Sequence, residues 1–105
     1  MKKHDKYVFE LFSSAIRKKF PDARIWAFGS RVRGDVEEFS DLDVCIVVEH
    51  LDDKVYAQIV EIAWQIGFDN EIIISTIPYS HEEFEDGPCS VSPLVYTILN
   101  EGIPA

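Results

Sequence analysis

The chain has 105 residues, room for one domain (1–105) and not for two. Hydrophobic residues make up 47% and charged residues 28%, a balance that excludes a disordered chain. Ten Lys and Arg face 19 Asp and Glu, and the formal net charge of −9 argues against tight non-specific binding of polymeric DNA or RNA.

In chain order, Val8, Leu11, Phe12, Ala15 and Ile16 follow the i, i+3, i+4 spacing of an amphipathic helix. Arg17, Lys18 and Lys19 suit its negative end, and Pro21 lies just beyond it. A short apolar strand, Arg24-Ile25-Trp26-Ala27-Phe28, stops at Gly29. From Gly29 to Ser40 the composition turns to Gly, Ser, Arg and acids, a polar connection that fits either a short crossover or a wide hairpin. Leu42 to Val48 is a strand rich in β-branched residues. Asp52 or Asp53 caps a second helix, with Val55, Ile59, Ile62, Ala63 and Ile66 on its apolar face and Gly67 at its end. A third strand is expected over about Glu71 to Thr76. Ser80-His81-Glu82-Glu83 has the form of a capping box, and Ser92-Pro93 opens a last helix that closes at Gly102.

Alternating helices and strands predict an α/β fold, a small mixed β-sheet flanked by helices. Cys45 and Cys89 form no C-x-x-C and read as reduced thiols, Cys45 as a small buried hydrophobe. With no signal-like core and no uncharged apolar stretch of transmembrane length, the expectation is a soluble, cytoplasmic protein without a membrane partner. Trp26 and Trp64 are read as core, and His81 as surface capping.

The chemistry gathers at Asp41 and Asp43. In a strand, residues i and i+2 share a face, and two neighbouring carboxylates repel unless a cation lies between them. Hard oxygen ligands select Mg²⁺ or Mn²⁺, held by one or two carboxylates plus substrate phosphate. Gly29 permits a sharp turn and close backbone approach. A helical turn starting at Ser30 would offer its amide and hydroxyl to a phosphate, with Arg31 and Arg33 as neighbouring cations.

Phe28-Gly29-Ser30, ten intervening residues, then Asp41-Leu42-Asp43-Val44 resembles the signature of the polymerase-β-like nucleotidyltransferase superfamily. The longer form, Gly29-Ser30-Arg31-Val32-Arg33-Gly34-Asp35 followed by Ser40-Asp41-Leu42-Asp43, resembles the minimal nucleotidyltransferases of bacteria and archaea. That resemblance implies a polymerase-β-like fold and transfer of a nucleoside monophosphate, AMP from ATP, with pyrophosphate leaving. Gly29, Ser30, Arg31 and Arg33 would bind the nucleotide, and Asp41 and Asp43 would hold two divalent ions. A third acid on a neighbouring strand completes the metal site in that family. Asp69 and Glu71 are the two candidates here, and Glu71, counted back from Ser75, is the preferred one. Asn70 stands where the superfamily has an apolar residue.

The resemblance also implies the acceptor. Minimal nucleotidyltransferases are paired with a small helical partner of the HEPN or substrate-binding type, and some act as antitoxins by adding AMP to it. Aminoglycoside-modifying relatives use a small-molecule hydroxyl, but carry an extra helical domain for which this chain has no room. The competing reading is a non-catalytic module that binds and neutralises its partner. For a chain this small, stabilisation by self-association is a further option.

Overall fold

The computed structural model describes residues 1–34 and 40–105. Asp35 of the longer motif lies outside the described residues.

Helix α1 (Lys3–Lys19) leads into strand β1 (Arg24–Phe28), the one-turn helix α2 (Ser30–Arg33) and strand β2 (Leu42–Val48). Helix α3 (Asp53–Asp69) precedes strand β3 (Ile74–Ser80). The chain ends with α4 (His81–Glu85), a 3₁₀ turn (Pro88–Val91), α5 (Pro93–Glu101) and the two-residue strand β4 (Ile103–Pro104). The sheet order is β3-β2-β1-β4. β1 runs antiparallel to both β2 and β4, while β2 and β3 run parallel through the α3 crossover. The sheet is therefore mixed, as expected, and the connection after Gly29 is a wide antiparallel one.

Alternation along β2 divides the core. Leu42, Val44, Ile46 and Val48 pack with Val8, Phe12 and Ile16 of α1 and Ile59 and Ala63 of α3. Cys45 and Val47 face the other way, onto Trp26, Phe28, Phe84, Val95 and Ile98. Both faces of the sheet are thus covered by helices, and Asp43 lies on the second face by the same alternation.

Local sequence rules account for most element ends. Asp52 caps α3 by accepting from the Val55 amide at 2.8 Å. Ser80 and Glu83 form a complete capping box on α4. Ser92 and Pro93 open α5 as N-cap and first residue. His81 meets Glu85 one turn on, 3.1 Å away at the surface.

Three expectations need correction. Helix α3 does not end at Gly67 but runs to Asp69. Gly67 is glycine for another reason: a Cβ there would stand 2.4 Å from the Ile72 carbonyl oxygen. The helix ends in a Schellman motif, with the Ile72 amide bonded to the Gly67 carbonyl and the Glu71 amide to that of Phe68. Glu71 occupies the left-handed position of that motif at φ 57. Strand β3 consequently starts at Ile74 rather than near Glu71. Trp64, read as core, is 70% exposed.

A left-handed conformation costs a residue with a Cβ about 1–2 kcal/mol. Glu71→Gly is therefore expected to raise the unfolding free energy by about 1 kcal/mol in urea denaturation, part of the relief being lost to greater unfolded-chain entropy.

Candidate active site

The site forms where β1 ends and β2 begins. Phe28, the last residue of β1, is the antiparallel partner of Asp43. Immediately after it the backbone turns at Gly29, with φ 87 and ψ −162, a conformation reserved almost entirely for glycine. A Cβ on Gly29 would lie 2.3 Å from Oδ2 of Asp43, so the missing side chain is what lets that carboxylate sit against the turn. The Gly29 carbonyl accepts from the amides of Val32 and Arg33, both at 3.1 Å, which closes the α2 turn and fixes Ser30 at its start.

Asp41 and Asp43 are brought together as the i, i+2 spacing predicts, with Leu42 between them fully buried on the opposite face. Burial and, second, the charge of Asp41 raise the pKa of Asp43, while Arg33 pulls it down. The pair thus carries an electrostatic deficit that a bound cation would relieve. Its donor set, two carboxylates against a glycine turn, fits a hard divalent ion with oxygen ligands.

The two arginines part company. Arg31 is turned inward: Nη1 donates to Oδ1 of Asp5 at 2.7 Å and Nε to the Ser40 carbonyl at 2.6 Å. Asp5 is 3% exposed, so this buried ion pair ties α1 to the residue that precedes Asp41. Arg33 is the cation whose field reaches Asp43. Asp5 was missed in the sequence, where an acid in the first turn of a helix has an ordinary explanation in the helix dipole.

Glu71 does not join the pair. It is exposed, in the turn before β3, and Asp69 is the exposed last residue of α3. Among the described residues no three His, Cys, Asp or Glu side chains converge into a metal-binding group. The β3 residue level with Asp43 is Ser75. Alternation sets Ser75 on the same face as Ile77 and Tyr79, which pack near Cys45 and Val47.

A family model described as a nucleotidyltransferase domain matches residues 10–103, from α1 through β4. The chain belongs to this nucleotidyltransferase family. Its mixed α/β sheet is consistent with the polymerase-β-like fold. The chain is also 41% identical over 39 residues to a Haemophilus influenzae protein named "Probable protein adenylyltransferase MntA". That match covers 37% of this chain and 34% of the relative, so the matched stretch spans about a third of the curated relative's length.

Behind the carboxylates, Cys45 is fully buried, and burial pushes its thiol up to about 12. Burial thus keeps Cys45 a protonated, inaccessible thiol, whereas Cys89 is partly exposed. Iodoacetamide is expected to modify Cys89 first, with Cys45 alkylated at an appreciable rate only after denaturation, as peptide mass mapping would read.

Proposed function

We propose that this nucleotidyltransferase moves AMP from ATP to a hydroxyl of a partner protein, with Asp41 and Asp43 as the carboxylates that hold Mg²⁺ or Mn²⁺. The observation that carries the reading is the seat of the Asp43 carboxylate against the glycine turn, beside Asp41. The printed name of the Haemophilus influenzae relative, a protein adenylyltransferase, supports AMP as the group and protein as the acceptor.

In the reaction, the acceptor oxygen attacks the α-phosphorus, the bond from that phosphorus to the bridging oxygen breaks, and pyrophosphate leaves. The hydroxyl proton is released to solvent. Asp41 and Asp43 would hold the divalent ions, which when bound would supply charge neutralisation for the transferring phosphate and the leaving group. Ser30 and the α2 turn hold the β- and γ-phosphates from the side of β1. Arg33 adds the nearby positive charge, while Arg31 acts from behind by fixing Ser40 and hence the position of Asp41. The partner is a small helical protein of the HEPN type in a two-gene module, with this chain as its antitoxin. Glu71 takes no part as a ligand in this reading, because its place in the α3 Schellman motif accounts for it.

One observation favours a second reading, a module that binds its partner without turnover: a serine rather than an acid stands beside Asp43 on β3. A single experiment separates the two. The protein is incubated with its co-encoded partner, Mg²⁺ and ATP labelled either at the α- or at the γ-phosphate. Label on the partner from the α-position alone, absent with Asp41→Asn, supports AMP transfer. Stable complex formation without label would replace it by the binding reading.

A further inference from the structure

Helix α3 is apolar on two sides. Its inner stripe, built on Ile59 and Ala63, is spent on the core. Its outer stripe, Tyr56, Val60, Trp64 and Phe68, repeats every four residues, with Val60 half-buried and the three aromatic residues exposed. Trp64 and Phe68 are 70% and 72% exposed, and their rings stack at 5.5 Å with planes 5° apart. Ile73, just before β3, is 69% exposed. Shallow grooves of about 770 and 570 Å³ flank the stacked pair, the second of them running to Ile72, Ile73 and Ile74. Single exposed apolar residues need no explanation, but a contiguous grooved patch marks an interaction site.

We propose that this outer face of α3, with the adjoining start of β3, seats an amphipathic helix of a second protein whose apolar stripe is flanked by Lys and Arg. Charge selects the occupant. Asp53, Glu61, Asp69 and Glu71 rim the patch, all exposed, against Lys54 alone among the basic residues of α3. A second copy would set acid against acid at a net charge of −9 per chain, whereas basic flanks complement the rim. A helix fits better than an added strand, because the neighbouring sheet edge, β3, carries Pro78 at its centre and lacks a ladder donor there. The surface meets the strand of the carboxylates only at its edge: the Ile73 carbonyl accepts from the amide of Leu42 at 2.9 Å, the residue between Asp41 and Asp43, while α3 itself lies on the sheet face opposite Asp43. Any link between this surface and the acceptor rests on the proposed function, while the docking surface itself does not.

The test uses two fluorescein-labelled synthetic helical peptides with the same leucine face, one with Lys flanks and one with Glu flanks. Fluorescence anisotropy should report binding of the Lys-flanked peptide to the wild-type chain. Trp64→Ala and Phe68→Ser should each weaken it at least about tenfold, as for aromatic anchors, and the Glu-flanked peptide should bind at least as much more weakly. Both substitutions are at exposed positions, and unchanged thermal melts and unchanged Mn²⁺ affinity would verify that fold and carboxylate site are intact. Equal binding by Trp64→Ala and wild type, equal binding of the two peptides, or no binding of either overturns the proposal. So does a wild-type dimer in sedimentation that Trp64→Ala abolishes, since a second copy would then cover the face. Peptide binding by a chain that fails to bind Mn²⁺–ATP would leave the docking surface standing and sink the catalytic reading instead.

Discussion

Asp43→Asn is expected to lower nucleotidyl transfer by more than about 100-fold without unfolding the protein. Changing a group that merely orients a metal ligand costs about 10- to 100-fold in metal affinity or activity, and a ligand itself should cost more. Asparagine keeps the size and one acceptor oxygen but removes the charge. The fold should tolerate the change, because the charged form of Asp43 is opposed in the free protein by burial and by Asp41. Removing it relieves that repulsion, so thermal stability of the metal-free chain should hold or rise while activity collapses. That opposite movement separates a functional carboxylate from a structural one. Loss of activity together with a lowered melting temperature would point to Asp43 as a structural residue.

Gly29→Ala is expected to fail on both counts. The backbone at Gly29 (φ 87, ψ −162) lies where a residue with a Cβ is strained by about 1–3 kcal/mol. The added methyl would also meet the Asp43 carboxylate at 2.3 Å, and the strand behind Asp43 is paired on both sides and cannot yield. The carboxylate must move instead, so Mn²⁺ binding and transfer should fall with stability. Gly34 supplies the control. It too has a positive φ, 81, but a Cβ there meets nothing within 4 Å among the described residues. Gly34→Ala should therefore cost stability, about 1–2 kcal/mol for the left-handed backbone, and leave Mn²⁺ affinity unchanged. Equal loss of Mn²⁺ binding in the two variants would show that backbone strain alone, not contact with Asp43, governs the site.

These effects trace to residues that could be read directly from the chain. Gly29, Ser30, Asp41 and Asp43 are legible because their geometry is local: a glycine that ends a strand, and two acids two residues apart at the start of the next. The caps at Asp52, Ser80 and Ser92 are legible for the same reason. What escaped depends on contacts between distant segments. The run Ile72-Ile73-Ile74 has strand composition and so predicts an earlier start for β3; only the Schellman motif from Gly67 to Ile72 shows that the chain is still leaving α3 there. Gly67 has the look of a helix end, yet its bare Cα serves the approach of the Ile72 carbonyl. The buried pairing of Asp5 with Arg31 spans 26 residues and leaves no mark on either segment alone. Strand β4 is two residues long, too short for any periodicity to register. Trp64 looked like core because apolar aromatics usually are, and only the fold reveals that α3 carries more apolar surface than one sheet face can cover.

The central claim is that Asp41 and Asp43, without Glu71, form the metal–nucleotide site of this nucleotidyltransferase. Electron paramagnetic resonance of Mn²⁺ titrated into the protein with ATP tests it without need of a partner. Binding is expected in the wild type and in Glu71→Gln at the same affinity, and should be lost in Asp41→Asn and in Asp43→Asn. Retained binding in both Asp variants, or its loss in Glu71→Gln, would contradict the assignment.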